Sequence, residues 1–341
     1  MGKSLFYQII KYYCRFLVHF FFGKVEIIGR ENIPKNLPVI YSSNHQNAFM
    51  DALIIGGLSP KITYSITRSD VFKKQFQWFL DALKMIPIYR IRDGYGQLAK
   101  NEETFRTINS SLFRGHAVTI FSEGNHGNDF FLRDLSKGSS RMALEAQEKM
   151  DHLDIKVIPV GLNYFHHQRP FHKISIVFGQ PISVRNFLQI YLKQKAEGIN
   201  QMRKIIDQGM RSCLLIPKDG PNYQLERNFI NRNNECQSFE RLKRGIVSGE
   251  GLKPLCKPNK SLYRLGKCLG IFNFGPLLLL QSILFGIKDI VFYCSIKWAL
   301  AMFVFPLWFL LVFVVSSFLI NIQWGLTILL ISIFMLYLRQ Y

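Results

Sequence analysis

His45 and Asp51 are the pair of residues whose types and spacing best suit acid–base chemistry. They sit in Asn44-His45-Gln46-Asn47-Ala48-Phe49-Met50-Asp51, directly after the β-branched run Val39–Ser42 and before the apolar run Ala52–Gly57. A carboxylate that accepts the proton on one imidazole nitrogen fixes the tautomer and leaves the other nitrogen as a base. This is the acid–base half of a serine-protease-like relay, with a substrate hydroxyl in place of the serine. A histidine that merely closes a strand is the ordinary alternative.

Three later segments share the character of strand ends carrying polar groups. Met85-Ile86-Pro87-Ile88-Tyr89-Arg90 ends in arginine, with Arg92 beside it. Ile120-Phe121-Ser122-Glu123-Gly124-Asn125-His126-Gly127 opens from an apolar strand into a polar, glycine-containing turn. Val157-Ile158-Pro159-Val160-Gly161 is apolar and interrupted by proline. Each also has a plain structural reading: Arg90 in a surface ion pair, Glu123 as a turn cap, Pro159 as the mark of an edge strand. In α/β sheets, however, loops at strand ends bring separate segments into one site.

In this order the segments resemble the four blocks of the glycerol-3-phosphate and 1-acylglycerol-3-phosphate (lysophosphatidate) O-acyltransferase family. Those blocks are a His and Asp, an Arg-ended strand, F-P-E-G, and an apolar strand with proline. They correspond to His45 with Asp51, Arg90, Phe121–Gly124 and Val157–Val160. The resemblance covers roughly Asn44 to Pro181. Asn47 and Gly161-Leu162-Asn163-Tyr164-Phe165 look most like the branch of fungal glycerol-3-phosphate and dihydroxyacetone-phosphate acyltransferases and its bacterial relatives.

The resemblance implies direct transfer of an acyl group from acyl-CoA or acyl carrier protein to an acceptor hydroxyl, with no acyl-enzyme, cofactor or catalytic metal. His45 is then the catalytic base and Asp51 its partner. Asn47, Arg90, Glu123, Gly124 and Lys137 are the implied substrate-binding residues. Arg90 would clamp the acceptor phosphate through a bidentate contact, and Glu123 with the Gly124 backbone would position glycerol hydroxyls. Three departures bear on the acceptor. Five residues, rather than the commoner four, separate His45 from Asp51; Ser122 replaces proline; and Asn125-His126-Gly127 stands where Thr-Arg-Ser is common. The missing arginine leaves a phosphate contact to Arg133, Lys137 or Arg141. An amino-acid-linked lyso-lipid is therefore an alternative acceptor, and a non-catalytic membrane-binding protein that keeps the fold is the alternative from another class. His166, His167 and His172 form a local cluster, but no Cys or carboxylate joins them at ligand-like spacing, and no metal site is expected.

The elements expected to position these residues alternate. Val25–Ile28, Val39–Ser42, Ile62–Thr67, Ile86–Tyr89, Ala117–Phe121, Lys156–Gly161 and Ile174–Phe178 read as strands. Val71–Leu83, Gln97–Phe113, Ser139–Met150 and Asn186–Cys213 carry apolar residues at helical spacing. This pattern predicts an α/β fold, a mixed sheet flanked by helices, with a C-terminal membrane helical hairpin.

Charge and hydropathy set the context. Lys plus Arg number 43 against 23 Asp plus Glu, a formal charge of +20. No zinc-finger, basic-zipper or RNA-binding signature accompanies it, so anionic membrane lipids are the expected partners rather than nucleic acid. Six scattered cysteines make no C-x-x-C pair and suggest neither a zinc site nor a disulfide framework. Residues 1–23 read as an interfacial helix whose Lys11 and Arg15 snorkel to headgroups, 24–216 as the catalytic domain and 217–268 as a basic, loosely structured connector. Residues 269–341 read as a membrane region containing a hairpin over 298–338. Trp298–Ile320 is free of charge and long enough for about 35 Å of helix. Lys288, Lys297 and Arg339 flank its open ends and place the catalytic domain on the cytoplasmic side. So few apolar segments are too few for a transporter.

Overall fold

Val39–Ser43 (β2) is buried along its whole length, and its side chains alternate between two apolar layers. The computed structural model describes residues 2–90, 95–232, 237–248 and 272–338. By contact the chain divides into two compact units. The first comprises the residues up to Arg15, Glu26–Asn163 and Ser175–Pro221; the second comprises Phe16–Val25, Tyr164–Ile174 and the chain from Asn222 onward.

The first unit is built on an eight-stranded mixed sheet. The strands are β1 (Val25–Ile28), β2, β3 (Thr63–Arg68), β4 (Met85–Ile88), β5 (Ala117–Phe121), β6 (Lys156–Tyr164), β7 (Ile174–Phe178) and β8 (Ile182–Ser183). Their order is β1-β7-β6-β2-β5-β3-β4, with β8 antiparallel on β6. β2 runs parallel to both β5 and β6, and β3 runs parallel to β4 and β5. Their C-terminal ends therefore open at one edge. Pro159 pairs with Ser42 inside the sheet, so it does not mark an edge strand. Its carbonyl accepts the Gly179 N–H at 2.8 Å, and its ring fills the space that a side chain at Gly209 would occupy.

One face of the sheet carries Ile40, Val118 and Val157 against α4 (Asn101–Phe113), α5 (Gly138–Lys149), α6 (Arg185–Lys193) and α7 (Lys195–Ser212). α1 (Gly2–Phe21) and α2 (Ala48–Leu58) belong with the other face, where the Tyr41 hydroxyl meets Ser59 Oγ at 2.9 Å. α3 (Gln77–Ala82) is short: of the helix expected over Val71–Leu83, only this C-terminal part forms. The single helix expected over Asn186–Cys213 breaks at Gln194, whose backbone is extended. The break folds α7 back so closely on α6 that a Cβ on Gly198 would lie 2.5 Å from Tyr191 Cα. Lys11 does not snorkel. It turns inward, donates to the Lys61 carbonyl at 2.7 Å, and burial lowers its pKa to about 8.

The second unit is helical. The segment expected to be a loose connector contains α8 (Tyr223–Arg232) and α9 (Phe239–Ser248). α10 (Phe274–Phe285), α11 (Phe292–Leu319) and α12 (Ile322–Leu338) follow. α11 is long and apolar enough to cross a membrane, and little of its apolar stretch is buried. α12 packs back along it to form a helical hairpin, with Gly325 giving room to Ser317. Asn273 donates to the Ser332 carbonyl at 2.8 Å and ties the start of α10 to α12. Trp298, fully buried, meets Phe21 at 5.1 Å between ring centroids.

Candidate active site

The turn from β2 into α2 wraps around one carboxylate. Asp51 is completely buried, and its Oδ2 accepts the backbone N–H groups of Gln46 at 2.8 Å and Asn47 at 2.9 Å. His45 Nδ1 stands 2.8 Å from the same oxygen. An ionised carboxylate only accepts, so Nδ1 carries the proton and Nε2 is left as the lone-pair nitrogen. The His45 side chain is 17% exposed, so the ring is not sealed off from solvent. The imidazole stacks on Phe121 with centroids 4.0 Å apart, which limits its tilt. Five intervening residues are accommodated because Ala48 takes a φ of +41°, unusual for a residue with a Cβ.

Glu123 supports His45 from the neighbouring strand. Its Oε1 accepts the His45 backbone N–H at 2.9 Å, and its Oε2 accepts Arg133 Nε at 2.5 Å. Only 2% of the side chain is exposed. Burial pushes the carboxyl above its ordinary value, while Arg133 and the His45 N–H pull it back. Arg133 also donates to the carbonyls of His126 at 3.2 Å and Asn125 at 2.5 Å. It thereby fastens the turn that begins at Gly124, where φ is +75°. A Cβ on Gly127 would lie 2.7 Å from the Arg133 guanidinium, so glycine is what lets the arginine lie across the turn. Gly127 in turn donates its N–H to the His45 carbonyl at 3.0 Å.

Ser122, where the resembled family carries proline, is buried and pairs its hydroxyl with Ser42 at 2.6 Å. Its N–H also donates to the Ser43 carbonyl at 3.2 Å, a bond that proline cannot make. The substitution thus joins the ends of β2 and β5.

The sequence-derived residues fall into two groups. His45, Asp51, Asn47, Glu123 and Gly124 meet in one corner of the sheet edge. Asn47, fully buried, occupies the N-cap position of α2, where its backbone carbonyl accepts the Met50 N–H at 3.0 Å. Arg90 and Lys137 have different surroundings. Arg90 follows β4, three strand positions from β2, or about 14 Å at the usual strand spacing. Its backbone neighbour Tyr89 is held on both sides by Asn101, at 3.0 and 2.8 Å. Arg92 lies outside the described residues. Lys137 is exposed on the wall of an open groove of about 780 Å³, with Arg203, Lys204, Asp207 and Arg211. Of the three cations considered for the missing phosphate contact, Arg133 is committed to Glu123 and the turn carbonyls.

Two asparagines that the motif reading left without a role hold the site's base. Asn44 bonds both the N–H (2.8 Å) and the carbonyl (3.0 Å) of Leu162, clamping β2 to β6. Asn163 accepts the Leu215 N–H at 2.9 Å and donates to the Cys213 carbonyl at 2.9 Å. Their positions beside His45 and after Gly161 were visible in the sequence, but their partners are 118 and about 50 residues away. In the second unit the His166 and His172 rings stack at 5.2 Å, and burial lowers their pKa values to about 3 and about 4.

Residues 24–163 match the family model described as Acyltransferase. Over 130 residues it is 27% identical to glycerol-3-phosphate O-acyltransferase 2 of Saccharomyces cerevisiae, covering 38% of this chain and 17% of that protein. Over 142 residues it is 28% identical to a 1-acyl-sn-glycerol-3-phosphate acyltransferase of Chlamydomonas reinhardtii, covering 41% and 39% respectively. The match therefore spans well under half the length of either relative. Among solved structures, the 1-acyl-sn-glycerophosphate (LPA) acyltransferase PlsC of Thermotoga maritima aligns with a TM-score of 0.45 at 19% identity, over 60% of this chain and 78% of that one.

Proposed function

We propose that the chain is a glycerolipid O-acyltransferase that moves a fatty acyl group from acyl-CoA or acyl carrier protein to a hydroxyl of glycerol 3-phosphate or lysophosphatidate. The observation that carries this reading is the His45–Asp51 contact at 2.8 Å, with the His45 backbone braced by Glu123. His45 Nε2 removes the acceptor hydroxyl proton as the oxygen attacks the thioester carbonyl carbon. The carbon–sulfur bond breaks, and the proton passes from the imidazolium to the departing thiolate. Asp51 holds the tautomer and stabilises the imidazolium. Such base catalysis supplies about 10²–10⁴ in rate, and alignment of the two substrates supplies more.

Glu123 acts through His45 in this mechanism. Its burial and its two protein donors make it a brace for the backbone that carries the base, rather than the group that meets glycerol hydroxyls. Arg90, just after β4, is the proposed phosphate clamp, with Asn47 and Gly124 lining the acceptor's path. Lys137 is assigned to the outer approach, where anionic substrates collect. No metal or cofactor takes part. Membrane attachment through α11, with the catalytic unit on the cytoplasmic side, completes the proposal; the long apolar helix and the +20 charge support it.

The test supplies labelled acyl-CoA and acyl carrier protein to the reconstituted chain with glycerol 3-phosphate, lysophosphatidate and an amino-acid-linked lyso-lipid. A labelled ester on a phosphate-bearing acceptor, lost in His45→Ala, is expected. Thioester left intact with every acceptor and both carriers would end the proposal.

A further inference from the structure

The stretch that leaves β3 and enters the first turn of α3 has no part in the proposed chemistry, yet it presents large apolar side chains to solvent. Val71 is 44% exposed, Phe76 55% and Trp78 56%. Lys73 and Lys74 stand between them, both exposed. The nearby acid Asp70 is engaged with Arg68. Isolated exposed apolar residues need no explanation, but these are not isolated. Trp78 packs on Phe6 of α1 with ring centroids 5.1 Å apart. On α1, Leu5, Ile9 and Tyr12, at i, i+4 and i+7, are 65%, 56% and 64% exposed. Two elements distant in sequence thus present aromatic and aliphatic side chains side by side.

The direction of the sheet adds meaning to this placement. β3 runs parallel to β5, and β5 parallel to β2, so the chain leaving β3 emerges at the edge that holds His45 and Glu123. Phe49, four residues beyond His45, is 39% exposed at that end as well. We infer that residues 71–78 form a second membrane foot, inserting Phe76 and Trp78 among the headgroups of an anionic leaflet beside α1. The mouth of the His45 site then faces the bilayer. Tryptophan suits this depth because its ring is apolar and its N–H is polar. Lys73 and Lys74 lay their stems along the apolar layer and put their ammonium groups against lipid phosphates. An amphiphilic donor or acceptor can then reach His45 without leaving the membrane. This inference rests on the membrane reading above, and it concerns how the site is oriented rather than what it catalyses.

The experiment uses the full chain in vesicles, with Cys236, Cys256 and Cys268 changed to serine; Cys14, Cys213 and Cys294 are buried. An environment-sensitive fluorophore is attached at Phe76→Cys, and in a second sample at Gln208→Cys, an exposed site on α7. In vesicles rich in phosphatidylglycerol, the label at 76 is expected to shift to the blue and to be quenched several-fold more by headgroup-proximal nitroxide lipids than the label at 208. Adding Lys73→Glu and Lys74→Glu should reduce that quenching. Equal quenching of both labels by aqueous iodide overturns the inference. So does shielding at 76 without lipid quenching, which would mean that a protein surface covers the patch. Because the label reports position rather than turnover, failure of the wild-type chain to transfer acyl groups would sink the proposed reaction and leave this result readable.

Discussion

The β2–α2 turn and the α11–α12 hairpin depend on the sequence in opposite ways. In the turn, one carboxylate oxygen gathers an imidazole and two backbone N–H groups within 2.9 Å, and a neighbouring carboxylate braces the same histidine. Displacing any one of these donors removes a hydrogen bond from a buried carboxylate. In the hairpin, 28 residues of α11 carry a broadly shared requirement, that the surface be apolar along its length. Leu307, Leu310, Leu311, Val314 and Phe318 are all exposed, and the role of each resembles that of the next. The proposed chemistry is concentrated in a few atoms, whereas the proposed attachment is spread over many.

Substitutions in the two regions should therefore differ in size as well as kind. The largest effect is expected at the dyad. Asp51→Asn keeps the shape but loses the charge that holds the Nδ1 proton, and kcat should fall by about 10²–10⁴ with near-UV circular dichroism unchanged. Full turnover in this variant would break the comparison at its strongest point. Arg133→Met comes next, because it leaves the Glu123 carboxylate buried without its cation; a loss of about 3–5 kcal/mol is expected in denaturant unfolding. This loss carries a pH signature. The Glu123 pKa is raised in the folded protein, so the folded state holds the proton more strongly, and stability falls as pH rises through the folded value. Removing Arg133 raises that pKa further, so the deficit should be smallest in acid, where Glu123 is neutral, and should grow as pH rises.

Leu311→Arg tests the hairpin's collective requirement. A charge at the middle of α11 should cost about 2.5–3.5 kcal/mol in a membrane-insertion assay. Leu311→Ala should stay within about 0.5 kcal/mol, the smallest effect in the series. Between these lies Ala48→Gly in the turn. Relief of the positive φ should raise stability by about 1 kcal/mol, seen as a higher unfolding midpoint. A destabilised glycine variant would mean that the backbone at 48 is not strained.

Much of this was legible in the residues themselves. The strands at Val25, Ala117 and Ile174 begin and end where β-branched runs do, because the alternation of buried side chains is written locally. Helix breaks were less visible. Gln194 carries no proline or glycine signal, and the turn there follows from the close approach of Gly198 to Tyr191, a contact that exists only once α6 and α7 pack. The connector illustrates the same limit: its Gly, Pro and Asn content suggested loose chain, yet α8 and α9 form, with Ile230 and Phe239 buried.

The site divides along the same line. The imidazole and its carboxylate partner, the polar turn after β5 and the apolar length of α11 are properties of short stretches, set by residue type and spacing. Tertiary structure alone decided that Arg133 locks Glu123, that Ser122 answers Ser42, that Asn44 clamps Leu162, and that Lys137 faces an outer groove. Each of these depends on which strands lie side by side. That order is chosen by the burial of whole faces and the pairing of every backbone group, quantities that no local window of sequence contains.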